Sequence, residues 1–120
     1  METIIQWLFL IIVAWFIVKK FMLAKGISNV TTQEAKTKFK DRNVQFIDVR
    51  TLREYQGSHR KPFKNIPLSG LAKRSSELDK NKEVVVICQS GMRSIKASKL
   101  LKKQGFVNVT NVKGGMSAWV

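Results

Sequence analysis

VVVICQSGMRS, running from Val84 to Ser94, places four consecutive branched apolar residues ahead of Cys88, the single cysteine of the chain. A short continuous run of this kind reads as a strand buried on both faces, the situation of a parallel sheet. The residues after Cys88 are small and polar, with a glycine that permits a sharp turn. The spacing then predicts a helix from Met92 to Gln104, with Ile95, Leu100 and Leu101 inward and lysines outward, stopped by Gly105.

Outward from this unit, strands and helices alternate. Strands are expected over residues 26–30, Val44–Val49, Glu83–Cys88 and Phe106–Val112, with a brief extended piece at Asn65–Leu68. Thr31 and Glu34 have the spacing of a capping box, opening a helix to about Lys40. Helical turns are expected at Thr51–Gln56, from Ser69 or Gly70 to Leu78, and at Ser117–Trp119 after a Gly114-Gly115 turn; residues 57–64 read as irregular. The fold class is α/β: a mainly parallel central sheet flanked by helices.

The N-terminal segment has a different character. From Ile4 to Val18 only Gln6 is polar, a run of 15 residues against the roughly 20 that cross a bilayer core. If Lys19 and Lys20 snorkel, the run extends to Ala24 and is long enough. Glu2 precedes the run and lysines follow it, the reverse of a signal peptide. The expectation is a transmembrane anchor over residues 1–25, contacting lipid through residues 4–24, and a domain over residues 26–120 with Gly26 as hinge. Lys19, Lys20 and Lys25 place that domain in the cytoplasm and the N-terminus outside, a single-pass arrangement at the cell membrane.

The chain carries +14, with 22 basic and 8 acidic residues. Residues 26–120 keep 19 of the basic residues and 7 of the acids, a charge of +12. That charge suits an anionic leaflet or simply a solvated surface. No basic run carries interleaved aromatics, so no nucleic-acid partner is expected. One cysteine excludes an internal disulfide framework, and one histidine with no CxxC pair gives no reason to expect a metal; no cofactor is expected either.

Ligands of an open parallel sheet bind outside the carboxyl ends of its strands, where Cys88 lies. Amides of Gln89 to Arg93 at a helix start form an anion site and lower a thiol pKa. Ser90 and Ser94 add hydroxyls, Arg93 a fixed charge, and Met92 lies at the mouth or begins the helix. The plain alternative is a buried cysteine closing a strand. Loop length separates two chemistries: four residues lie between Cys88 and Arg93, a tighter ring than the C-x5-R loop that cradles phosphate. Arg50 points toward the pocket or pairs with Glu54, and Asp48 bonds local amides.

CQSGMRS after VVVI resembles the active-site loop of rhodanese-domain sulfurtransferases. FIDVRTLREYQGSH (Phe46–His59), NIPL (Asn65–Leu68) and NVKGGMSAW (Asn111–Trp119) resemble further segments of that family, in the same order. The resemblance implies a rhodanese-like domain in which Cys88 takes sulfane sulfur from thiosulfate or a protein persulfide. Cys88 then passes it, as a persulfide held by residues 89–94, to an external thiol or to cyanide. It also implies that Asp48 and His59 are structural. Trp119, after the double glycine, is expected to plug the core. Ser58, Arg60, Pro62 and Phe63 depart from the family pattern, which bears on the pocket rim and substrate choice. The alternative function is a binding module that recruits a partner to the membrane without catalysis.

Overall fold

The computed structural model describes residues 2–25 and 27–119; the side chains of residues 19–25 lie outside that description. The hinge expected at Gly26, and the roles expected of Lys19, Lys20, Lys25 and the residues between them, lie outside it too.

Helix α1 spans Glu2–Lys25, β1 Ile27–Val30, α2 Thr32–Lys36, β2 Val44–Asp48, α3 Leu52–Gly57 and β3 Lys64–Asn65. Helix α4 spans Leu68–Arg74, β4 Glu83–Ile87, α5 Met92–Lys103 and β5 Val109–Val112, with 3-10 turns at Ser75–Glu77 and Gly115–Ala118. The strands form one sheet in the order β1-β5-β4-β2-β3, every neighbouring pair parallel. β4 is therefore flanked on both sides, as its unbroken apolar run predicts.

Alternation along β4 divides the core. Val84, Val86 and Cys88 pack with Ile47, Val49, Ala97 and Leu101 on one face. Val85 and Ile87 pack with Phe46, Phe63, Ala35 and Val112 on the other. Successive side chains of a strand point to opposite faces, so Cys88 is committed to the α5 side by its place in the run. Each fully buried valine contributes about 1.5–3 kcal/mol.

Several boundaries move. Helix α2 ends at Lys36, because the Thr37 hydroxyl donates to Glu34 O at 2.6 Å and the chain passes into turns. The last strand starts at Val109, since Phe106 N donates to Leu101 O and closes the helix end instead. Ile95 is 42 % exposed. The face that α5 buries consists of Ser94, Ala97, Ser98 and Leu101, small residues that let the helix lie close to the sheet and turn Ile95 outward. α3 carries a capping box that the sequence reading did not single out: Thr51 Oγ1 accepts from Glu54 N, and the Glu54 carboxylate accepts from Thr51 N.

The expectation of a membrane-spanning anchor is not supported. Among the described residues no helix is long and apolar enough to cross a membrane. The unbroken apolar run ends at Val18, and Lys19 and Lys20 follow. α1 is nevertheless a single helix whose large apolar side chains from Ile4 to Val18 are between 38 and 67 % exposed, outside both core clusters.

Candidate active site

Cys88 is the first residue beyond β4, at the carboxyl edge of the sheet. Val49 N donates to Ile87 O at 2.9 Å, Met116 N to Cys88 O at 2.8 Å and Ser117 N to Gln89 O at 2.9 Å. The Ser117 hydroxyl donates to Gln89 O as well, at 2.8 Å. Three successive carbonyls are thereby turned toward neighbouring segments. In a trans peptide the N–H opposes its carbonyl, so binding the Gln89 carbonyl sends the Ser90 N–H the other way, toward the sulfur.

Gly91 completes the turn with φ at +103°, a left-handed conformation that glycine adopts without strain. Its amide donates to Cys88 Sγ at 2.9 Å. The Cys88 thiol donates to Ser94 Oγ at 3.3 Å, and the Ser94 hydroxyl donates to Gly91 O at 3.0 Å. Burial, the largest single influence, pushes the Cys88 thiol up; the Ser94 hydroxyl and the amides of Ser94, Gly91 and Ser90 together bring it below its ordinary value. The residue has no exposed surface. It is thus buried, yet its sulfur faces a polar shell, unlike a cysteine used as core filler.

The double glycine after β5 makes this possible. A Cβ on Gly115 would collide with the Cys88 carbonyl, and one on Gly114 would lie 2.7 Å from Ala118 Cβ. Only glycine lets this turn approach the cysteine loop closely enough to hold its carbonyls. The sequence reading took Gly114-Gly115 simply as a turn; its role as a buttress is a tertiary contact that no local pattern reveals.

The basic residues are placed differently from expectation. Arg93 does not stand free above the sulfur. Its Nη1 and Nη2 donate to the two Glu54 carboxylate oxygens at 2.6 and 2.9 Å. The Arg93 hydrogen bond holds the Glu54 carboxyl down at about 2. Arg50 does not pair with Glu54, which Arg93 occupies. It is buried, and its Nε and Nη2 grip the Asp48 carboxylate at 2.8–3.0 Å. Its Nη2 also donates to Ser58 O at 2.6 Å, and its Nη1 reaches Gln89 Oε1 at 3.3 Å. Gln89 Nε2 in turn donates to Ser117 Oγ at 3.2 Å. Arg50 therefore meets the loop through the Gln89 side chain.

Gly91 and Ser94 thus bond the sulfur, and the Ser90 amide adds to its polar shell. Gln89 tethers the loop, Met92 is 74 % exposed, and Arg93 is tied to α3. His59 is exposed, bonded through Nδ1 to Tyr55 O at 2.9 Å and stacked on the Tyr55 ring. Phe63, expected at the pocket rim, is instead buried against Phe39, Phe46 and Trp119. Trp119 is only partly buried and stacks on Phe39. Among the described residues no cluster of His, Cys, Asp or Glu suits a metal ion.

A family model for the rhodanese-like domain matches residues 31–120. The chain belongs to the rhodanese-like domain family. As a rhodanese-like chain it is similar to YrkF of Bacillus subtilis, 39 % identical over 97 residues that cover 80 % of this chain and 52 % of that protein. It spans only about half the length of that relative. Thiosulfate sulfurtransferase 18 of Arabidopsis thaliana is 36 % identical over 111 residues, covering 81 % of each chain. The crystal structure of a rhodanese-like domain protein from Staphylococcus aureus superposes with a TM-score of 0.71 at 33 % identity, covering 78 % of this chain and 91 % of that one. The rhodanese-like fold and its parallel sheet accord with the strand order above.

Proposed function

We propose that this rhodanese-like domain is a sulfurtransferase working through a persulfide on Cys88. The observation that carries the reading is the polar shell at the sulfur: the Gly91 amide at 2.9 Å, the Ser94 hydroxyl, and a thiol held below its ordinary pKa despite burial. The Cys88 thiolate attacks the outer sulfur of thiosulfate, whose S–S bond breaks with the electron pair leaving on sulfite. The loop amides then stabilise the terminal sulfur of Cys88–S–S⁻, as an oxyanion hole stabilises oxygen. A thiol or cyanide from outside the chain removes that sulfur, since no second cysteine exists. Sulfurtransferase naming among the relatives supports this reading. Mass spectrometry of the purified protein after thiosulfate treatment tests it. Added sulfur on Cys88, together with thiocyanate formation on adding cyanide, is expected; a folded protein showing neither overturns it.

Attachment to a membrane belongs to the same proposal. The exposed apolar side chains of α1 are apolar all round, which suits an apolar medium better than water. The +12 of residues 26–120 favours an anionic, cytoplasmic leaflet. Reporters fused to the C-terminus test the orientation; activity on the outer side of the membrane overturns it.

A second reading, a binding module at the membrane, draws on the complete burial of Cys88. A Cys88→Ala chain that rescues every effect of a deletion would favour it.

A further inference from the structure

The strands run parallel and in step, so the loops that lead into β2, β4 and β5 meet at one end of the sheet, its amino edge. α1 ends at Lys25 and β1 starts at Ile27, which brings the apolar helix to the same edge. The cysteine loop follows β4 and lies at the opposite edge, about 15 Å away at the rise of a strand. α5 runs back from that loop, so its last turn also reaches the amino edge.

Residues 37–43, 79–83 and 102–108 make up this edge, with seven basic residues and three acids. The acids are occupied. Asp41 accepts from Asn43 N and Asp79 from Asn81 N, each at 2.9 Å, and Glu83 pairs with Lys38. Lys40, Arg42, Lys80, Lys82 and Lys103 are exposed and form no ion pair among the described residues. Hydrogen bonds brace the loops against one another. Gln45 Nε2 donates to Asp79 O at 2.8 Å, and Gln45 Oε1 accepts from Asp79 N at 2.7 Å. Val107 N donates to Lys80 O at 3.0 Å, and the Val107 side chain is 63 % exposed, an apolar tip beside the lysines. Five fixed positive charges and an apolar tip, next to the end of a helix that is apolar all round, match anionic headgroups over a hydrocarbon interior.

We propose that the amino edge is a docking face for an anionic phospholipid bilayer, and that docking turns the cysteine loop toward water. The inference rests on the membrane attachment of α1 proposed above. Each basic residue near such a surface strengthens binding about fivefold. Five of them hold a free domain only marginally, as a single acyl chain does. α1 makes the contact intramolecular and so raises its effective concentration. The face therefore orients a chain that α1 already holds. Sulfur donors and acceptors then reach Cys88 from the aqueous side and not from the lipid.

The test uses the full chain with vesicles of phosphatidylcholine alone, or of phosphatidylcholine with phosphatidylglycerol, and follows amide hydrogen exchange. Anionic vesicles are expected to slow exchange in residues 37–43, 79–82 and 104–108, and to leave residues 89–94 unaltered. Salt at about 1 M, where the screening length is about 3 Å, is expected to remove the effect. Lys80→Gln combined with Lys82→Gln is expected to reduce the protection about 25-fold, about fivefold for each charge, with an unchanged circular dichroism spectrum. Protection that covers residues 89–94 instead, or that is equal with neutral and anionic vesicles, overturns the proposal. Protection by soluble polyglutamate and not by anionic vesicles assigns the face to an acidic protein and overturns it as well. Flotation with neutral vesicles reads attachment by α1 on its own. A chain that floats with both kinds of vesicle but shows no protected loops loses the docking face and keeps the attachment, whereas a chain that floats with neither loses both.

Discussion

The sulfur of Cys88 is held between opposing influences. Burial raises the thiol pKa, while the Ser94 hydroxyl and three backbone amides lower it, and the net direction is down. Thiolate is then present at lower pH than for a free thiol. Alkylation rates followed against pH are expected to show a midpoint below that of a free cysteine. Ser94→Ala removes one of these hydrogen bonds and is expected to raise the midpoint by about one unit, with the loop amides holding the remainder. Gly115→Ala is a different kind of change. Gly115 sits at φ +58° with its α-carbon against the Cys88 carbonyl, so a methyl group has nowhere to go. A loss of about 2–4 kcal/mol in urea unfolding is expected, with the cysteine loop displaced. The role of Ser94 follows from its place one residue after the loop. The role of Gly115 does not, because its contact partner lies 27 residues away in sequence.

At the scale of elements, α3 and the cysteine loop are joined by one ion pair. Glu54 completes the capping box of α3 and also binds Arg93 at the start of α5. Its pKa falls from 4.5 to about 2, first because of the Arg93 hydrogen bond. A carboxyl whose folded pKa is depressed adds stability above its unfolded pKa and loses it as pH falls through the folded one. The contribution of Glu54 is therefore present above pH 4.5 and lost between about pH 4.5 and 2. With both side chains about one-third exposed, solvent screens the pair and its worth is small. Glu54→Gln is expected to lower the thermal midpoint at pH 7 and to make little difference near pH 2, as followed by circular dichroism. The order of strands and helices was legible because each segment repeats its own hydrophobic period. The partners were not, since Arg93 and Arg50 carry the same charge, and so do Glu54 and Asp48. Only the fold assigns Glu54 to Arg93 and Asp48 to Arg50.

For the whole molecule, α1 stands apart from both core clusters. Removing residues 1–25 is expected to shift the thermal midpoint by less than about 4 °C, the change that 1 kcal/mol produces at this size. The intact chain is expected to float with anionic vesicles while the shortened one stays behind; co-flotation of both would assign membrane attachment to the basic domain surface instead. The sequence by itself determined the α/β class, the parallel sheet and the position of Cys88 at a strand end, because strand and helix periods alternate along the chain and the uninterrupted run from Val84 to Ile87 suits burial on both faces of such a sheet. It also carried the family, through four segments in order. What only the tertiary structure decided is where the loop's carbonyls and charges go: Cys88 O to Met116, Gln89 O to Ser117, Arg93 to Glu54, and Phe63 into the core. These are pairings between residues far apart in the chain. Periodicity reports which way a side chain faces within its own element, and it holds no information on which distant group it will meet.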